Sequence, residues 1–216
     1  MDKYYYEYET GSDYCYPNTS ILINKFDIHD SQQLDEAERR FTAITVLEVM
    51  LRPVKGSFDL KHLMDIHKVV FDDIYEWAGK LRTVNIAKGN PFCQCAYLVD
   101  YADELFDKLK AEKFLIDTAP EDLPERLSFY LSEINVLHPF REGNGRTQRV
   151  FIDYLARYNG YHLNFANVSD SEMIEASASA FDLDYIKLNL MIERIMEKTS
   201  DEDRNAFQKT IKLRSC

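Results

Sequence analysis

The 216-residue chain has only 7 glycines, 6 prolines and 4 cysteines, and its 26 Lys and Arg are outnumbered by 37 Asp and Glu. Each shortage removes a class of protein. Cys15, Cys93, Cys95 and Cys216 give no disulfide framework, and a chain long enough for a sizeable core needs none. Cys93 and Cys95 have no second Cys/His pair at ligand spacing, so free thiols are expected rather than a zinc site. A formal charge of −11 repels phosphate backbones and argues against nucleic acid as a partner. No run approaches the about 18 apolar residues that span a bilayer, so no membrane partner is expected. The opening residues MDKYYYEYETGSDYCYPNTS are acidic and tyrosine-rich, unlike a signal or transit peptide. A cytoplasmic location is the default, with delivery into a host cell by a route the sequence does not display as the other option.

What remains is an ordinary globular balance, 45% hydrophobic and 29% charged, with no repeat and no low-complexity linker. Leu34, Ala37, Phe41, Ile44, Leu47 and Leu51 recur at spacings of three and four. They predict an amphipathic helix capped by Asp30 or Ser31 and closed by Pro53. A second helix is expected over about 59–75, with Leu60, Leu63, Met64, His67, Val70 and Phe71 on one face. His62 and His67, five apart, do not share a face well and read as structural. Residues 79–98 carry β-formers on both sides of Lys88-Gly89-Asn90-Pro91 and predict a hairpin, the only β-structure expected. Helices follow over about 99–114, 121–137 with Pro124 in the first turn, 144–159 ending at Gly160, and two or three more over 169–198. The small-residue run Ala176–Ala180 reads as a close helix–helix contact. The expected architecture is all-α with one small hairpin: an extension over 1–33, a helical domain over 34–198 and a polar tail over 199–216, helical in part.

His138–Arg149, HPFREGNGRTQR, concentrates groups suited to phosphate. Gly143-Asn144-Gly145 lies where a loop becomes a helix, so backbone N–H groups and the positive helix end form an anion cradle. Arg146 and Arg149, three apart, project from one side of the first turn and suit a polyphosphate. Glu142 is an oxygen ligand of the kind Mg²⁺ accepts when it also binds phosphates. His138, at the loop start, is a base for a hydroxyl proton near neutrality. Each element alone has an ordinary reading as a turn, a structural histidine or a solvated helix face; their concentration in twelve residues points to phosphoryl or nucleotidyl transfer.

The segment also resembles the Fic family signature, His-x-Phe-x-(Asp/Glu)-Gly-Asn-Gly-Arg-x-x-Arg, at every specified position. Upstream, Ile74-Tyr75-Glu76-Trp77-Ala78-Gly79 and Leu81-Arg82-Thr83-Val84-Asn85-Ile86 look like the family's helix end and target-binding flap. The resemblance spans roughly residues 17–198. It implies a compact Fic-type helical domain and a protein adenylyltransferase that moves AMP from ATP-Mg²⁺ to a Ser, Thr or Tyr hydroxyl, releasing pyrophosphate. On this resemblance His138 would deprotonate the target hydroxyl and Glu142 would hold Mg²⁺. Gly143, Asn144 and Gly145 would form the anion hole, with Asn144 on the α-phosphate. Arg146 and Arg149 would hold the β- and γ-phosphates, and Phe140 would anchor the loop. Ile86, Ala87, Lys88 and Gly89 would form the flap that receives a target segment by strand addition. The partner would be a protein with a hydroxyl side chain. Self-modification, for which Tyr4, Tyr5, Tyr6 and Tyr8 are candidates, and a homodimer stay open.

Intact Gly145 separates the chain from the family's kinase branch, in which lysine replaces that glycine. The family's inhibitory motif, (Ser/Thr)-x-x-x-Glu-(Gly/Asn), has no clean copy. Ser31–Glu36 comes nearest, with Asp35 where Glu is expected, and Ser171–Glu175 is followed by Ala176. Weak or absent self-inhibition is therefore expected, with Arg149 free of a carboxylate. Two other readings stay open: an ATP-sensing binding protein without transfer, and transfer of a different phosphate-linked group by the same residues.

Overall fold

Helix α5 (Asn144–Tyr158) is the centre around which the other elements pack. Val150 to Ala156 are all buried, which a helix achieves only when neighbours surround it. The structure, a computed structural model, describes residues 13–211 except residue 89. Around α5 lie α1 (Ser31–Leu51), α2 (Leu60–Phe71), α4 (Leu123–Leu137) and α8 (Asp201–Gln208), with α3 (Leu98–Ala111) beside α2 and α4. The pair α6 (Asp170–Phe181) and α7 (Ile186–Ile195) packs on α4. Asp30 caps α1 by accepting from the N–H groups of Gln32 and Gln33, at 3.0 and 2.9 Å. Tyr4, Tyr5, Tyr6, Tyr8 and Cys216 lie outside the described residues; Cys93 and Cys95 are free thiols.

The predicted hairpin is present. β1 (Ala87–Lys88) pairs antiparallel with β2 (Asn90–Pro91), Ala87 opposite Pro91 and Lys88 opposite Asn90. A second ribbon was not expected: β3 (Tyr161–Leu163) pairs with β4 (Met196–Lys198), so the last residues of the stretch read as helical are a strand. Gly160, at φ +90°, turns the chain after α5, and its carbonyl accepts the Thr199 N–H at 2.9 Å. Just beyond β4, α8 closes over the end of α5: Phe207 is buried against Tyr154, and Gln208 Nε2 donates to the Tyr158 carbonyl at 2.9 Å.

Helix α1 is inverted relative to its apolar periodicity. Leu34 is buried, but Phe41, Ile44, Leu47 and Leu51 are 39, 60, 64 and 81% exposed. The face turned inward carries Glu38, Thr42, Thr45 and Val49. Those polar groups tolerate burial because they are bonded. Thr45 Oγ1 donates to the Val70 carbonyl at 2.9 Å, and Tyr75 Oη donates to Glu38 Oε2 at 2.5 Å.

Candidate active site

Helix α4 ends at His138, whose φ of +44° is left-handed and turns the chain out of the helix. Nδ1 lies 3.0 Å from the Asn135 carbonyl. A carbonyl only accepts, so Nδ1 carries the hydrogen and the neutral ring keeps its lone pair on Nε2, the tautomer of a base. Burial, with lesser repulsion from Arg82 and Lys88, lowers the His138 pKa to about 3. The ring of Phe92, just after β2, stacks on the imidazole at 3.7 Å.

From His138 the loop is tied down on several sides. Arg82, buried, donates from Nε to the His138 carbonyl at 2.8 Å, from Nη1 to the Val84 carbonyl at 2.7 Å, and from Nη2 to the Cys93 carbonyl. Its backbone N–H donates to the Pro139 carbonyl at 2.9 Å. One side chain thus joins the histidine loop to both flanks of the hairpin. Phe140 is buried against His67, ring to ring at 3.9 Å, the anchoring place expected for it. His67 takes the Gly79 N–H on Nδ1 at 2.8 Å, so Nε2 carries the hydrogen and donates to the Glu142 carbonyl at 3.0 Å. That is the structural role read for His67. His62 has one as well: Nδ1 accepts the Phe58 N–H at 3.2 Å, and Nε2 donates to the Val54 carbonyl at 2.9 Å.

Gly143, at φ +81°, opens α5, and a β-carbon there would lie 2.2 Å from the Phe71 ring, so both backbone and space require glycine. The Thr147 N–H bonds the Gly143 carbonyl at 3.1 Å, while the N–H groups of Asn144, Gly145 and Arg146 precede the first intrahelical bond. They are the N–H groups expected to form a cradle. Asn144 Oδ1 accepts from Phe140 N at 2.9 Å and its Nδ2 donates to Phe140 O at 2.7 Å. The side chain therefore braces the loop.

Glu142 Oε1 accepts the Gly143 N–H at 2.8 Å and lies 3.7 Å from Arg146 Nη2. Burial, together with the nearby Glu38 charge, raises its pKa. The two motif arginines diverge. Arg146 turns to α1, donating from Nη2 to Glu38 and from Nη1 to Thr42 Oγ1 at 3.0 Å, with the Phe71 ring 4.8 Å away. Arg149 lies against Gly145, where an added β-carbon would be 3.3 Å from its Nη1. Among the described residues Arg149 has no carboxylate at ion-pair distance. Glu36 pairs with Arg40 and Glu175 with Lys187, and Asp35, at the position where the inhibitory motif has Glu, makes no ion pair with Arg149 either. Burial and the Arg146 charge lower the Arg149 pKa.

The hairpin stands beside this loop, with Ile86 buried, Ala87 half-buried and Lys88 exposed; Gly89 lies outside the described residues. Two residues beside this loop were not singled out from the sequence, Glu38 and Phe92, and Arg82 was read only as part of the flap segment. The signal for Glu38 is a charged group on the inward face of a helix, visible only once burial is known.

His138, the unbonded N–H groups that open α5 and the two arginines of its first turn thus lie on one loop-and-helix segment of a helical domain. The chain belongs to the Fic/DOC family, whose profile matches residues 57–156. It is 40% identical over 177 residues to the protein adenylyltransferase VbhT of Bartonella schoenbuchensis, covering 81% of this chain and 37% of VbhT. It is 38% identical over 184 residues to a Sinorhizobium fredii protein named probable protein adenylyltransferase y4lH, covering 84% of this chain and 94% of that protein. The N-terminal Fic domain of a Bartonella quintana VirB-translocated Bep effector, solved with bound ADP, superposes with a TM-score of 0.81 at 27% identity. That match covers 87% of this chain and 95% of the other. No helix among the described residues is long and apolar enough to cross a membrane.

Proposed function

We propose that this chain is a protein adenylyltransferase that transfers AMP from ATP to a side-chain hydroxyl of a protein. The observation that carries it is one loop joining a base-form histidine to an amide cradle whose adjacent arginine has no carboxylate partner among the described residues. The relatives named adenylyltransferases and the ADP-bound neighbour support the same reading.

In this reaction the hydroxyl oxygen attacks the α-phosphorus while its proton passes to His138 Nε2. The bond from the α-phosphorus to the bridging oxygen breaks, and pyrophosphate leaves. The N–H groups of Asn144, Gly145 and Arg146 take the phosphate oxygens, and Arg149 meets the charge that grows on the leaving group. Gly145 leaves room for Arg149 beside the cradle. Glu142 fits a Mg²⁺ ion, since one carboxylate with substrate phosphates is a common donor set for that metal. Bound there, Mg²⁺ would neutralise phosphate charge. The backbone of Ile86 to Lys88 serves a target segment as an edge to pair with, using main-chain hydrogen bonds that demand little of its sequence. This assigns a protein partner and leaves self-modification as one form of it. A cytoplasmic setting fits the ATP requirement.

The test is incubation with Mg²⁺ and ATP labelled separately at the α- and γ-phosphates, in lysate and alone. Protein-bound α-label is expected, and His138→Ala should reduce it by about 10²–10⁴-fold with the fold retained. Transfer of γ-label instead would sink the proposal.

A further inference from the structure

Arg146 sits in a buried network that the signature itself does not contain. Glu38 Oε1 and Thr42 Oγ1 take its Nη2 and Nη1, while Glu38 Oε2 accepts from Tyr75. Thr42 donates its own hydroxyl hydrogen to the Glu38 carbonyl at 2.7 Å. Two residues of α1 therefore hold the guanidinium of Arg146 on α5, and Tyr75 from the turn after α2 holds Glu38 in turn. Of its five N–H donors, these bonds use two and leave three.

We infer that Glu38 is a positioning residue for nucleotide binding, holding Arg146 so that its remaining N–H groups meet the β- or γ-phosphate. The inference rests on the adenylyltransferase reading for the phosphate that Arg146 is to hold. Two observations favour a support over a lock. First, Glu142 is also within 3.7 Å of Arg146 Nη2. Without Glu38, the guanidinium would turn wholly to Glu142 and occupy the carboxylate that suits the metal. Second, an arginine loses much side-chain freedom when it grips a ligand, and a network already formed reduces that cost. Glu38 is also distinct from the inhibitory arrangement sought in the sequence. It belongs to neither candidate segment, and it pairs with Arg146 rather than Arg149.

The experiment is calorimetric titration of the full chain with ADP and Mg²⁺, alongside α-label transfer at low and saturating ATP. Glu38→Gln keeps the shape and removes the charge. It should weaken ADP binding about tenfold, the scale of a buried charge-assisted bond. Transfer should fall at low ATP and recover at saturating ATP, a KM effect that general loosening of the fold would not produce. In an Arg146→Ala background the same substitution should make no further difference, because Glu38 acts through Arg146. Should Glu38→Gln fail to fold, Thr42→Val, which removes one bond of the network, should weaken ADP binding about threefold. Unchanged affinity in a folded variant overturns the inference while the transferase reading stands; so does tighter binding, which would make the pair a lock. Weakened ADP binding without any AMP transfer by wild type upholds Glu38 and sinks the transferase reading. A wild-type chain that binds no ADP overturns both.

Discussion

The loop entering α5 and the inner face of α1 bring polar groups into the same buried region by opposite routes. The loop does it with residues close in the chain: His138, Glu142, Gly143, Asn144 and Gly145 act through backbone geometry and near neighbours. The α1 face does it with residues a helical turn apart, Glu38, Thr42 and Thr45, each satisfied by a partner distant in the chain. The first region turns on left-handed backbone, strained at His138 and accommodated by glycine at Gly143. The second is an unstrained helix. A site can thus be built from local backbone constraint on one side and from tertiary pairing on the other. The two should fail in different ways.

Acid should break the loop side most. Burial lowers the pKa of both His67 and His138 to about 3, against an ordinary value of 6.5. Between those values the unfolded chain binds protons on both rings that the folded chain does not, so stability rises with pH across the window and is complete above about 6.5. His162 opposes this: its hydrogen bond to Asp153 raises its pKa, and that contribution is lost as pH rises. Urea unfolding at pH 7 and pH 4.5 should differ by several kcal/mol for wild type and by clearly less for His67→Gln. Equal pH slopes for the two would remove His67 from the account. Next in size is Gly143→Ala, which meets both a forbidden backbone region and the Phe71 ring at 2.2 Å. It should cost about 3 kcal/mol, lowering the melting temperature by about 6–12 °C. Gly145→Ala, with only Arg149 Nη1 within 4 Å, should cost less than about 1 kcal/mol in melting experiments while weakening ADP binding.

Local constraint is also what made one region legible. The loop-to-helix junction within His138–Arg149 could be read because the spacing of its residues alone sets most of their geometry. The helices from α2 to α5 were legible for the same reason, as were the turn at Lys88–Pro91 and the glycine after α5. Where a motif residue works through its side chain on the backbone, position was not enough. Asn144 was read for its place in the motif, and the bonds of its amide to Phe140 were not foreseen. Arg82 was read only as part of the flap segment, since its acceptors His138 and Cys93 lie 56 and 11 residues away. The β3–β4 ribbon pairs three residues with three, too few for a strand period, across more than thirty intervening residues.

Helix α1 is where periodicity pointed to the wrong face, and the smallest predicted effects test it. An apolar stripe normally marks the packed side, because burying it supplies most of a helix's tertiary stability. Here Ile44 and Leu47 are more than half exposed, so polar replacement removes little burial. Thr45 instead donates to the Val70 carbonyl across the α1–α2 contact. Thr45→Val leaves that carbonyl without this donor and should cost about 1 kcal/mol in urea unfolding. Ile44→Gln and Leu47→Gln should each stay within about 0.5 kcal/mol of wild type. Were the stripe the packed side, the order would reverse, and Leu47→Gln would cost on the order of the 2–5 kcal/mol seen when a buried leucine is truncated. The sign of the difference between Thr45→Val and Leu47→Gln therefore decides which face of α1 the core holds, whatever the absolute stability of the chain.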